Sequence, residues 1–222
     1  MAVVLDASNV ERTIINPFRD DEIPDSAEHF DGVIILGGAQ SALDDESHPY
    51  FPKLVELIKD FSNREKHVLG ICLGCQLVAR AFGGENILDR ELEVGFHPVV
   101  PTEAAAADPL MNLLSAAKQI FSWHTDTVVM PAGAVHLASS PMTPIQAFKV
   151  NPFVYGLQFH FEVDRHTLEP WLSEETAEYL DKKWPNWRPA LAEQIENHEP
   201  AAVEFCDVLT ARWLELVRQS IS

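Results

Sequence analysis

Apolar residues in this chain fall into short runs, and the spacing within each run predicts its element. Residues 32–36, Gly-Val-Ile-Ile-Leu, form an unbroken apolar run of the kind buried in a parallel sheet, ending at Gly37-Gly38-Ala39. Residues 67–69 form a second buried run that ends at Gly70. Residues 76–82 then carry apolar positions at helical spacing until Gly83-Gly84 stops them. Between the two runs, Leu54, Val55, Leu57, Ile58 and Phe61 describe an amphipathic helix over 54–61. Further on, residues 94–101, 120–124, 135–140, 145–150 and 154–163 read as strands, the first of them antiparallel. A short helix is expected over 110–117, and Asn151-Pro152 makes a turn. Residues 168–184 and 191–217 read as helices broken by Pro185 and Pro189, and the acidic, proline-containing stretches 19–31 and 41–52 read as loops. The N-terminus has two readings. Residues 12–18 look like a strand centred on Thr13-Ile14-Ile15. The apolar residues 2–5 before it form either a further strand or, as favoured here, part of a helix, because a parallel crossover needs about ten or more residues.

Two of these elements carry chemistry. Gly70-Ile71-Cys72-Leu73-Gly74 joins a buried strand to a helix, and glycines two residues either side of Cys72 let the backbone turn sharply and a neighbouring element approach. That is the geometry of a nucleophile elbow, with cysteine in place of serine. It exposes the sulfur at the carboxyl end of a strand and at a helix N-terminus, where the peptide dipoles favour negative charge. The run 154–163 ends in His160 and Glu162, two residues apart, so in a strand both point to one face. A cysteine nucleophile needs a base, and the base needs an orienting acceptor; Cys72, His160 and Glu162 supply the three types. Gly37-Gly38 is either a plain turn or a place where backbone N–H groups meet a ligand. Beside an elbow, the amides of Gly38 and Leu73 are expected to form an oxyanion hole.

The motifs Gly70-Ile71-Cys72-Leu73-Gly74-Cys75-Gln76 and Gly156-Leu157-Gln158-Phe159-His160-Phe161-Glu162-Val163 together resemble the class I (triad) glutamine amidotransferase family, closest to its stand-alone members such as GMP-synthase glutaminases. Three further stretches agree with the likeness, which runs from about residue 12 to the C-terminus. Asp31 to Gly38 resembles the glycine-rich oxyanion strand, which includes Gly37. Ser122-Trp123-His124-Thr125-Asp126 resembles the segment lining the glutamine pocket, and Gln146-Ala147-Phe148 the strand before the catalytic histidine. The resemblance implies a doubly wound, mostly parallel α/β sheet of flavodoxin-like kind, flanked by helices and followed by C-terminal helices, over residues 1–222 as one domain. It also implies that the family's first strand would lie before residue 1. It assigns catalysis to Cys72, His160 and Glu162, and substrate contacts to Gly37, Gln76, Trp123, His124, Thr125 and Asp126. No cofactor is implied. From the residues alone, Gln76 reads equally as an exposed helix glutamine and His124 as a satisfied strand-end histidine. Ala39 and Phe161 stand where the family usually has proline; the first leaves the glycine loop less rigid, and the second alters the strand end.

Composition narrows the partners. With 34 acidic against 16 basic residues, the net charge of −18 argues against nucleic acid and against an anionic membrane surface. No apolar run approaches the ~20 residues needed to span a bilayer, so a soluble, cytoplasmic protein is expected. Three cysteines, two of them three residues apart, do not suggest a disulfide framework. Cys72-x-x-Cys75 also suits a redox pair or, with His124 and His160, a metal site; a further alternative is a regulatory domain with an idle triad. A third keeps the fold and the triad and cleaves γ-glutamyl peptides instead of free glutamine. Residues 1–222 contain no G-x-x-x-x-G-K-[ST] loop, so an acceptor for released ammonia would belong to a separate synthase subunit. Trp171, Trp184, Trp187 and Trp213 read as helix-packing residues, or else as part of a lid or docking face.

Overall fold

A computed structural model describes residues 1–221. In chain order the elements are α1 (Ala2–Ala7), β1 (Gly32–Ile35), α2 (Phe51–Asn63), β2 (His67–Ile71), α3 (Leu73–Ala81), β3 (Glu85–Ile87), β4 (Glu93–Pro101), β5 (Lys118–His124), β6 (Thr127–Val129), β7 (Val135–Ser139), β8 (Ala147–Asn151), β9 (Val154–Leu157), α4 (Arg165–Leu168), α5 (Glu174–Lys183) and α6 (Trp187–Ser220). Seven strands make one sheet in the order β1-β2-β9-β8-β7-β4-β5, and β3 pairs with β6 in a separate ribbon. The parallel part is β1-β2-β9, with Gly32 opposite His67 and Val68 opposite Val154; from β9 through β8, β7 and β4 to β5 every pairing is antiparallel. The sheet is therefore mixed, parallel only where the elbow sits. Its antiparallel half curls round until Phe121 of β5 bridges His160, just beyond β9.

The unbroken apolar runs have a direct cause. Alternate residues of β2 enter different cores: Leu69 and Ile71 pack with Tyr155, Leu157, Leu209 and Trp213, whereas Val68 packs with Ile58, Phe61, Leu77 and Phe148. A strand buried on both faces cannot alternate in polarity. Helices α2 and α3 thus cover one face and the C-terminal half of α6 the other.

Several sequence expectations change. Residues 2–7 are helical, but residues 12–18 form no strand: no neighbouring strand pairs with them, Ile14 is 75% exposed, and the stretch ends in a 3-10 turn at Pro17–Arg19. The helix expected over 110–117 shrinks to a single 3-10 turn, Met111–Leu113, tied down by the Asp108 carboxylate, which accepts the amides of Leu110 and Met111. The strand expected over 154–163 stops at Leu157, because the following amides change partner, Gln158 to the Gln146 carbonyl and His160 to that of Phe121. The expected 168–184 helix is split into α4, a 3-10 turn at Glu169–Trp171, and α5. Pro170 lacks an amide hydrogen, and Ser173 starts a fresh helix by accepting the Thr176 amide. Pro189 does not break α6, since it lies in the first turn, where amides have no helical partner. Among the described residues no helix is long and apolar enough to cross a membrane.

Candidate active site

The site is built on the join between β2 and α3. Cys72 occupies it with φ 51° and ψ −105°, a conformation that costs a non-glycine residue roughly 1–3 kcal/mol. Its amide donates to the Leu157 carbonyl at 2.8 Å, which ties the strained residue to β9. Both flanking glycines are required by contact. A Cβ on Gly70 would stand 2.4 Å from the Gly74 carbonyl oxygen, and one on Gly74 would stand 2.1 Å from that of Ile35. The elbow is thus pressed against the end of β1, where the Gly37-Gly38 loop begins.

That loop runs over Cys72 and His160. A Cβ on Gly37 would lie 2.7 Å from Cε1 and 3.6 Å from Nε2 of His160, and 3.4 Å from the Cβ of Cys72, so Cys72 and His160 meet at this glycine. Nδ1 of His160 lies 2.6 Å from Oε1 of Glu162. Though Phe161 replaces the usual proline and the strand has already ended, the two side chains still face each other. Burial disfavours the charged imidazole, but the Glu162 carboxylate and the Cys72 sulfur outweigh it and push the His160 pKa up to about 10. The Cys72 thiol is directed at the Trp123 carbonyl, 3.8 Å away. Gly38 adjoins the elbow, a Cβ there falling 3.0 Å from a methyl of Leu73. Cys72 and His160 are only 6% and 4% exposed.

The remaining predicted contacts form a second layer. Gln76 is buried, not exposed, and its amide nitrogen donates to the Asp126 carbonyl at 3.2 Å and to Oε1 of Gln158 at 3.4 Å. The Thr125 hydroxyl donates to Asp126, whose carboxylate also accepts the Asp89 amide. Trp123 is half-buried and stacks edge-on with Trp171. His124 turns inward, with Nε2 3.3 Å from Oε2 of Glu93. The metal set Cys72, Cys75, His124 and His160 is not assembled: Cys75 is buried under the helix against Gly156, and no group of three or more ligating side chains able to hold a metal occurs among the described residues.

Sequence reasoning missed one feature and left a second open between helix packing and a lid or docking face. The first is Glu93, 1% exposed, which accepts the hydroxyls of Ser140 (2.5 Å) and Thr143 (2.6 Å) and the amide of Gln146 (3.0 Å). Burial pushes its carboxyl up, but neighbouring His124 and the two hydroxyls hold it down, to about 2. A carboxylate set inside the apolar stretch 92–96 was the available signal. The other is Trp171, whose ring lies 5.2 Å from that of His160 at an interplanar angle of 68°.

Comparison with known proteins identifies the family and the fold. The chain matches the family "Glutamine amidotransferase class-I" over residues 4–176. It is 31% identical over 179 residues to a "putative glutamine amidotransferase-like protein YfeJ" of Salmonella typhimurium, covering 79% of this chain and 75% of that one. It is also 31% identical to gamma-glutamyl peptidase 4 of Arabidopsis thaliana, over 67% of this chain and 61% of the relative. The crystal structure of a glutamine amidotransferase from Thermotoga maritima superposes with a TM-score of 0.84 at 25% identity, covering 98% of this chain and 91% of that one.

Proposed function

Since the chain belongs to the class-I glutamine amidotransferase family, we propose that it hydrolyses the side-chain amide of glutamine through a γ-glutamyl thioester on Cys72, releasing ammonia. One observation carries the reading: Cys72 on a strained elbow and the His160–Glu162 pair converge on Gly37, a position where only glycine fits.

His160 takes the Cys72 proton, and Glu162 holds the imidazole by its Nδ1 and stabilises the cation formed. The sulfur attacks the amide carbon. The oxyanion is received by the amides of Gly38 and Leu73, each worth roughly 3 kcal/mol of barrier. The imidazolium gives its proton to the departing nitrogen, and ammonia leaves. Water, deprotonated by His160, then splits the thioester to glutamate. Trp123, Thr125 and Asp126 orient the amino-acid end of the substrate, a reading supported by the Trp123 carbonyl that faces the Cys72 thiol, while His124, turned to Glu93, and the buried Gln76 hold this segment from behind. Ammonia passes to an acceptor reaction on a separate synthase subunit. A γ-glutamyl peptide would use the same steps with an amine leaving group, and the peptidase relative keeps that reading in view.

The test is ammonia and glutamate release from glutamine by the purified protein, with γ-glutamyl dipeptides assayed in parallel. Release from glutamine that disappears in Cys72→Ala supports the proposal. Release that survives Cys72→Ala, or none from glutamine while the dipeptides are cleaved, overturns it.

A further inference from the structure

The perimeter of the His160 ring is almost fully occupied. Nδ1 is held by Glu162, and the Cε1 edge is covered by the Gly37 backbone. The rest is bordered by two aromatic rings, with a third packed against both. Phe121 lies 6.5 Å from the imidazole, centroid to centroid, and Trp171 lies 5.2 Å from it. Trp123 packs against both, at 6.2 Å from Phe121 and 6.1 Å from Trp171. Phe121 and Trp123 belong to β5 and are fixed by the sheet. Trp171 does not: it is half-buried and sits on the three-residue 3-10 turn between α4 and α5, outside the sheet. It is the wall that borders the outside.

In acyl transfer by a Cys–His pair, the departing nitrogen takes its proton from the imidazolium. It must therefore sit within about 3 Å of the ring nitrogen facing the sulfur, and so against whatever walls the ring. Ammonia needs no further room. The amine of an amino acid carries a Cα, a carboxylate and a side chain, which have to pass the indole. We propose that Trp171 determines the leaving group: it closes the histidine side of the reaction centre, so that ammonia departs and an amino acid or peptide amine is excluded. The proposal rests on the thioester chemistry above and adds the substrate class, a primary carboxamide in preference to a γ-glutamyl peptide. It works by steric rejection, as a wall that costs the wrong substrate and nothing to the right one. The turn that carries Trp171 is itself not tightly backed: Leu172, the next residue, lines a cavity of about 440 Å³ together with Ala177, Trp187, Leu191 and Ile195. Removing the indole takes away the ring that stands 5.2 Å from the imidazole and so widens the histidine side for a larger leaving group.

The test compares wild type with Trp171→Ala, with Trp171→Leu as the second variant should alanine unfold the turn, and Trp171→Phe as the conservative one. The first readout is the kcat/KM of a γ-glutamyl dipeptide divided by that of glutamine. It is expected to rise at least tenfold in Trp171→Ala or Trp171→Leu and to stay near the wild-type value in Trp171→Phe. The second needs no turnover: the rate of Cys72 alkylation by N-phenyl iodoacetamide relative to iodoacetamide, expected to rise at least tenfold in the same variants. An unchanged alkylation ratio in a folded variant overturns the role of Trp171, whatever the substrate. If wild type releases no ammonia from glutamine, the thioester reading has failed, and the alkylation ratio alone decides whether Trp171 is the wall. A wild type that already cleaves the dipeptide as fast as glutamine also overturns it.

Discussion

At the scale of single residues the account turns on how one buried histidine keeps its proton. Burial alone would lower the pKa of His160, and it is the facing Glu162 carboxylate, with the Cys72 sulfur, that raises it to about 10. Glu162→Gln removes that charge while keeping the shape. The His160 pKa should then fall toward or below its ordinary 6.5, followed by NMR titration of the imidazole, and glutamine turnover should drop on the order of 10³-fold. An unmoved titration would show that Glu162 is not the group in control. Cys72, His160 and Glu162 could be picked out of the sequence because each lies in a local pattern, an elbow and an alternating strand end. Glu93 and Trp171 could not. The partners that give Glu93 its role, Ser140, Thr143 and Gln146, lie 47 to 53 residues further along the chain. Trp171 looks like any helix aromatic until the fold sets it against His160.

Among the elements, the elbow was the most legible and is the most tightly constrained. On helix propensity alone, Gly74→Ala within α3 should stabilise the protein by about 1 kcal/mol. The structure predicts the opposite sign, because the added Cβ would fall 2.1 Å from the Ile35 carbonyl oxygen, a backbone atom that cannot swing aside. A loss of about 3 kcal/mol or more in urea unfolding is expected, with Cys72 alkylation altered in whatever folds. A neutral or stabilising result would mean that β1 does not press on the elbow as described. Element ends were less legible. The strand expected through Val163 ended at Leu157 because the curled sheet brought β5 into range of the His160 amide, a tertiary event without local signature. The helical break at Pro170 had a plain local cause that the pattern of apolar residues concealed. Residues 12–18 had strand-like composition but no neighbour to pair with.

For the molecule as a whole, strand order and curl emerge only from packing, and they determine which distant charges become buried together. Glu93 and His124 are directly opposite in the β4–β5 pairing, and Ser140, Thr143 and Gln146 close over them from the β7–β8 side. The carboxyl of Glu93 is depressed from 4.5 to about 2. A group lowered on folding stabilises the protein fully above its unfolded value and loses that contribution as pH falls through the folded one. Wild type should therefore lose about 3 kcal/mol from this group between pH 4.5 and 2, whereas Glu93→Gln, less stable at neutral pH, should lose nothing by this route. Urea midpoints across that range should converge for the two proteins at the acid end. Curves that stay parallel would show that the carboxylate is not held in its charged form. His160 acts at the other limit: its raised pKa stabilises the fold below pH 6.5 and is spent as pH rises toward about 10.

The central claim is that Cys72 carries the acyl group, and the most direct measurement is an acid quench of the protein during turnover of glutamine, followed by mass spectrometry of the peptide containing Cys72. The account predicts a glutamyl group attached at Cys72 through a hydroxylamine-sensitive thioester, absent from Cys72→Ala and accumulating in step with the first equivalent of ammonia. Ammonia released with Cys72 unmodified at every quench time, or the acyl group found on another residue, would contradict it.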